Sequence, residues 1–170
     1  MQATYNDCVN AGQLSIEENL QIYKKDKIFE RTVTNTFPRS RPTAIILGGQ
    51  NASGKSSLGD QFLKEYKQIG CGIVRIEGDA LREYHPKFHE YNLANDKLMA
   101  AYTAKDSGEW IRRLIEDTGK SRRNMLIETT LRNPNIVGET ARLLHEGGYD
   151  VQIKANKLKT RPLKTFFKHI

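Results

Sequence analysis

The residues with the clearest chemistry are Gly49-Gln50-Asn51-Ala52-Ser53-Gly54-Lys55-Ser56. A glycine, four residues, then Gly-Lys-Ser is the spacing of a phosphate-binding loop. Its glycines let the backbone turn amides toward an anion, and the N-terminus of the helix that must follow adds partial positive charge. Lys55 would bring an ammonium to the β- and γ-phosphates, and Ser56 would give a hydroxyl to Mg2+, with Ser57 in the same turn. Four fixed residue types in eight positions match by chance about once in a hundred chains of this length. The implied cofactors are ATP and Mg2+. The bland alternative is a glycine-rich turn with no ligand.

A phosphate loop alone does not separate a kinase from a hydrolase or a switch. An acidic residue at the carboxyl end of a neighbouring strand decides, because ligands of open α/β sheets sit there. Asp79 and Glu128 are the candidates. Transfer to an alcohol needs a carboxylate that accepts the hydroxyl proton and aligns the oxygen. Asp79 suits that task, its alternative being a helix cap ahead of Ala80-Leu81-Arg82. Glu128, followed by Thr129-Thr130, would hold a substrate hydroxyl or a metal-bound water, or else pair with Arg132. Arg82 and Tyr84 would line the acceptor pocket or be solvated. His85, ahead of Pro86, reads as a structural turn, Trp110 as core, and Arg122-Arg123 as a solvated turn.

These residues need elements to hold them. Residues 1–13 lack periodicity and are expected to be a loose terminus. Ser15-Ile16-Glu17-Glu18 reads as a capping box opening a helix of about 15 residues, with Ile16, Leu20, Tyr23 and Ile28 inward. Two prolines mark 37–42 as a linker. Strands are expected over 43–47, 72–77, 125–128 and 149–153, with helices over 55–68 and 134–146. Asp106-Ser107-Gly108-Glu109 would cap a further helix carrying Trp110, Ile111, Leu114 and Ile115, which Gly119 ends. The stretch 79–102 reads only as polar and aromatic-rich. Strand and helix alternate, so the fold class is α/β, a P-loop NTPase of kinase type with a mainly parallel sheet of about four strands flanked by helices, plus an N-terminal helix. The expected division is 1–42 (N-terminal helix and linker), 43–153 (kinase domain) and 154–170 (basic tail).

Composition narrows the setting. The chain of 170 residues is 38% hydrophobic and 28% charged, a globular profile. The aliphatic run Ala44-Ile45-Ile46-Leu47 is far short of a membrane span. No basic segment precedes an apolar one at the N-terminus, and Cys8 and Cys71 match no metal or redox spacing. A cytoplasmic protein with two reduced thiols is the expectation. The net charge is +7, but Lys154, Lys157, Lys159, Arg161, Lys164 and Lys168 account for six of it, leaving the first 150 residues at +1. The basicity belongs to a tail with no aromatic interleaving, so a nucleic-acid partner is not expected.

The chain resembles the zeta-toxin family, the kinase half of epsilon/zeta toxin–antitoxin systems. The resemblance runs from about Ser15 to Ile153 and rests on Pro42 to Gln50, the loop through Ser57-Leu58, Ile76-Glu77-Gly78-Asp79, Tyr84 to Phe88, Asn124 to Arg132 and Gly148-Tyr149-Asp150-Val151. It implies ATP-dependent phosphorylation of a UDP-N-acetylamino sugar at the 3′-hydroxyl of the amino sugar. Asp79 matches the family's catalytic base, and Lys55 and Ser56 its ATP and Mg2+ contacts. Glu128, Thr130 and Arg132 fall in the segment lining the sugar-nucleotide pocket. The implied partner is a small helical antitoxin that blocks the nucleotide site and touches the N-terminal helix. Family members continue past the fourth strand with a further strand and with helices that bring arginines over the transferring phosphate, and Lys154 to Ile170 does not match that continuation. A truncated end is the expectation there. It carries an alternative function: binding of ATP or antitoxin with little turnover.

Overall fold

The computed structural model describes residues 4–49, 55–94, 96–130 and 133–155. In chain order, α1 (Tyr5–Gly12), α2 (Ile16–Lys25) and α3 (Ile28–Thr32) precede β1 (Thr43–Gly48). Helix α4 (Lys55–Gln68) leads to β2 (Val74–Glu77). Four helices follow: α5 (Gly78–Arg82), α6 (Phe88–Ala94), α7 (Asp96–Tyr102) and α8 (Ala104–Lys120). Then come β3 (Met125–Thr129), α9 (Pro134–Glu146) and β4 (Asp150–Ala155).

The strands form one parallel sheet in the order β2-β3-β1-β4. Side chains alternate across it with period two. On one face Ile45, Leu47, Ile73 and Leu126 meet Leu58, Phe62, Leu63 and Tyr66 of α4. On the other, Ile46, Val74, Ile76 and Ile127 pack against Trp110 and Leu114 of α8 and Ala141 and Leu144 of α9. Tyr23 and Ile28 of α2 and α3 join the second cluster. Trp110 is fully buried, and its indole N–H donates to the Asn19 carbonyl at 3.0 Å. The Asn124 side chain ties the strand starts together: its Oδ1 accepts from the Thr43 amide at 2.9 Å, and its Nδ2 donates to the Gly72 carbonyl at 3.1 Å.

Several elements depart from the sequence expectation. Residues 5–12 are helical, because Thr4 and Asp7 form a reciprocal capping box with bonds of 2.9 and 3.3 Å. The expected box at Ser15 and Glu18 is present. The single long helix is instead two, broken where Lys27 takes a left-handed φ of 52°. Ile16 is 80% exposed rather than inward, and Asn19 takes the buried position. The second strand starts two residues late. Gly72 has a φ of 65°, and a Cβ there would lie 2.4 Å from the Asn35 carbonyl, so the chain is still turning past that loop. Asp106 does not cap α8. It is buried in the first turn and accepts from Asn19 Nδ2 at 2.8 Å and the Leu14 amide at 3.2 Å. Gly119 lies inside α8, whose C-cap is Ser121. Arg122 and Arg123 are not merely solvated: Arg122 donates to the Ser40 carbonyl at 2.6 Å and Arg123 to the Thr36 carbonyl, fastening the linker to the start of β3.

Candidate active site

Adjacent strands β1 and β3 send α4 and α9 to opposite faces of the sheet. Such a switch opens a crevice at the carboxyl ends of the two strands, the place where open α/β sheets bind ligands. Register brings the residues there into rows. Leu47 pairs with Glu128, which pairs with Glu77, and Gly48 pairs with Thr129. Gly49 continues the alignment, its amide donating to the Thr129 carbonyl at 3.2 Å.

Helix α4 begins at Lys55, only a few residues beyond β1, so its N-terminal amides and dipole are at this crevice. Ser56 and Ser57 are exposed in its first turn. An exposed hydroxyl beside a helix N-terminus fits a phosphate chain with its Mg2+. Gln50, Asn51, Ala52, Ser53, Gly54 and Arg132 lie outside the described residues, as does the Lys55 side chain.

The two candidate carboxylates occupy contrasting environments. Asp79 sits just past the end of β2, in the first turn of α5, with its side chain 71% exposed. Strands β1 and β2 are two strand spacings apart, about 10 Å, so Asp79 and Gly49 border the same edge of the sheet. Arg82 Nε donates to Asp79 Oδ1 at 3.1 Å. The other end of that guanidinium is held by protein: Nη1 donates to the Ala100 carbonyl at 2.5 Å and to Thr103 Oγ1 at 3.1 Å.

Glu128 is different. Its side chain is 0% exposed and accepts from Arg75 Nε at 2.7 Å. Among the described residues its partner is Arg75; Arg132, the partner considered from sequence, lies outside them. Arg75 also reaches Asp60 of α4 at 2.8 Å and Glu77 at 3.4 Å. Burial disfavours the Arg75 charge, but the carboxylates of Glu128 and Glu77 more than offset this and raise its pKa. Gly59 makes room for the group: a Cβ there would lie 2.7 Å from Glu128 Oε1. Thr130, beyond the end of β3, is half-buried.

His85 is structural, as expected, and Tyr84 lies at a cleft. His85 is buried. Its Nδ1 accepts from the Lys87 amide at 3.2 Å, so Nε2 carries the proton and donates to the Gly12 carbonyl at 3.1 Å. Tyr84 stands edge-on to Trp110 and lines a cleft of about 480 Å³ beside β2, together with Arg31, Arg75 and Glu83. Sequence reasoning missed Arg75, Asp60, Gly59 and Thr103. A charge at Arg75 between Val74 and Ile76, one strand period before Glu77, was the available signal for the first of these.

A parallel sheet with a phosphate-loop sequence at its first strand, and helices on both faces, defines the P-loop fold of kinase type. The zeta toxin family model matches residues 25–159, and the chain belongs to that family. It is 36% identical over 113 residues to Toxin PezT of Streptococcus pneumoniae, covering 66% of this chain and 44% of that protein. It is 29% identical over 128 residues to Toxin zeta of Streptococcus agalactiae, covering 75% of this chain and 44% of that protein. Among solved structures it is similar to one from the PezAT chromosomal toxin–antitoxin system of Streptococcus pneumoniae. The TM-score is 0.74 at 28% identity, over 85% of this chain and 58% of the other. The chain thus spans less than half the length of these curated relatives.

Proposed function

We propose that this chain is an ATP-dependent phosphotransferase acting on the 3′-hydroxyl of the amino sugar in a UDP-N-acetylamino sugar. In this reading it is the toxin of a cytoplasmic toxin–antitoxin pair, restrained by a small helical antitoxin of epsilon type. The observation that carries the reading is the exposed Asp79 carboxylate on the same sheet edge as the start of the phosphate loop.

ATP with Mg2+ supplies the phosphoryl group and neutralises its charge. The loop sequence from Gly49 to Gly54 and Lys55 would hold the phosphates, and Ser56 would hold the metal. Asp79 accepts the acceptor-hydroxyl proton as the oxygen attacks in line. Its exposure suits that task, since the acceptor must arrive from solvent. Glu128, braced by Arg75, and Thr130 form the wall behind the acceptor, with Arg132 following in the same segment. General-base catalysis of this kind contributes about 10²–10⁴ in rate.

The test is ADP formation by the purified chain with and without UDP-N-acetylglucosamine. Turnover that requires the sugar nucleotide, and that falls by about 10² or more in Asp79→Ala and is lost in Lys55→Ala, supports the reading. Equal turnover without the sugar nucleotide overturns it. Nucleotide binding with no transfer at all favours the alternative of a binding-only chain.

A further inference from the structure

We propose that Arg82 is a positioning residue that aims the Asp79 carboxylate, and that the buried hydroxyl of Thr103 holds Arg82 in place. The inference rests on the reading of Asp79 as proton acceptor.

An aspartate that is 71% exposed has little packing to select one rotamer. A general base nevertheless has to reach its proton within about 2.6–3.2 Å, and a misplacement of about 1 Å can cost about 10²-fold. Something must orient Asp79, and the Arg82 guanidinium is the group bonded to it. An exposed i,i+3 ion pair is weak by itself, because both side chains must lose rotamer entropy to form it. Here one partner is already fixed. Arg82 is only 20% exposed, and its Nη1 is spent on Ala100 and Thr103.

Thr103 makes this anchor directional. It is fully buried where α7 gives way to α8. Its single hydroxyl proton goes to the Met99 carbonyl at 3.0 Å. The oxygen then has only lone pairs to offer, and Arg82 Nη1 donates into one of them at 3.1 Å. The planar fork transmits this orientation: once Nη1 is fixed, the Nε–H direction is fixed too, and it points at Asp79 Oδ1. A lysine could not do this, having one ammonium and no plane. The same geometry argues against the simpler role of Arg82 as a substrate contact, since two of its nitrogens are engaged by the protein.

Two measurements test this. The first needs no turnover. In ¹⁵N-edited NMR spectra of the chain, the Arg82 Nε–H should give a slowly exchanging signal that is lost in Asp79→Ala and in Thr103→Val but kept in Thr103→Ser, which retains the hydroxyl. An Nε–H that exchanges in the unmodified chain as fast as a free arginine overturns the proposal. The second is steady-state kinetics with ATP and UDP-N-acetylglucosamine. Arg82→Lys should lower kcat by about 10–100-fold with both KM values within about twofold, and it should add no further loss in an Asp79→Asn background. Thr103→Val should lower kcat in the same way, and Thr103→Ser should restore it. A raised KM for the sugar nucleotide with kcat unchanged would make Arg82 a substrate contact and refute the positioning role. If the unmodified chain transfers nothing to the sugar nucleotide, the functional reading fails, and the NMR measurement still decides whether Arg82 is fixed by Thr103 and bonded to Asp79.

Discussion

The substitution Gly59→Ala is expected to destabilise the protein, although helix propensity predicts the reverse. In a helix interior, alanine is favoured over glycine by about 0.8–1.0 kcal/mol. Gly59 lies inside α4, one turn past Lys55, so that gain is available. The new methyl group, however, would lie 2.7 Å from Glu128 Oε1 and 3.4 Å from Arg75 Nη2. Glu128 has no room to yield cheaply: it is fully buried and held at 2.7 Å by Arg75, which is itself tied to Asp60 of the same helix. Relieving the contact means moving the carboxylate or lifting α4. Forcing extra atoms into a packed site costs about 1–3 kcal/mol, and stretching a buried ion pair adds to it. The net expectation is a loss of about 1–2 kcal/mol, or about 2–8 °C in Tm at this chain length. Gly138 is the internal control. It is exposed in the interior of α9, and nothing lies within 4 Å of its would-be Cβ. Gly138→Ala should therefore raise Tm by about 2–4 °C. Urea and thermal unfolding of both variants read the two signs directly. A Gly59→Ala protein as stable as the Gly138→Ala protein would refute the steric argument and, with it, the packing of Glu128 against α4.

Two further perturbations test the N-terminal region. Burial raises the Asp106 pKa, but the polar contact with the His85 imidazole at 3.6 Å and hydrogen bonds from Asn19 and the Leu14 amide outweigh it and leave the carboxyl below its ordinary value of 3.8. A group with a lowered folded pKa contributes stability that is present above its unfolded pKa and lost as pH falls through the folded one. The stability gap between the unmodified chain and Asp106→Asn should thus be constant from neutral pH to about 5 and shrink steadily below the ordinary value. Urea titrations across that range check it, and a gap that widens in acid would contradict it. Gly12→Ala should lift α1 from α7, because its Cβ would lie 2.1 Å from the Tyr102 carbonyl oxygen, a backbone atom that cannot rotate away. Faster amide exchange across Tyr5–Gly12, at a cost of about 1–3 kcal/mol, is the expected readout, and unchanged protection would rule the close contact out.

The most legible parts of the sequence were those whose signals are local. The helices over 55–68 and 134–146 appear with their expected bounds, because Pro134 and the Gly147-Gly148 stop punctuate one, and Leu58, Phe62 and Tyr66 set the period of the other. The parallel sheet was readable from strand–helix alternation. Helix α1 was missed although its signal is local too: Thr4-Tyr5-Asn6-Asp7 has the same box spacing as Ser15 to Glu18, but few apolar residues follow it. What Asp106 and Arg75 bind was illegible for another reason. Each has a partner more than fifty residues away, Asn19 for Asp106 and Glu128 for Arg75, and chain spacing carries no information about such meetings.

That distinction also explains why the two acidic candidates diverge. In the sequence both stand at the carboxyl end of an apolar strand, Asp79 just after one and Glu128 as the last residue of another, and only their expected tasks differ. Glu128 lies within its strand, in register with Leu47 and Glu77, so the pleat sends its side chain toward α4, where the sheet and helix close over it. Asp79 lies two residues beyond β2, where the pleat no longer dictates direction and the first turn of α5 carries it into solvent. To act as proton acceptor, Glu128 would have to leave Arg75 and cross its own packing. Asp79 needs only to be aimed, and an arginine three residues on, anchored across the α7–α8 junction, is placed to aim it. In the proposed reading the strand register separates the roles: the buried acid braces the helix behind the phosphate loop, and the exposed one faces the acceptor. Gly59→Ala strains the first role and Arg82→Lys the second, so the two variants should separate in their effects, the former appearing in Tm and the latter in kcat.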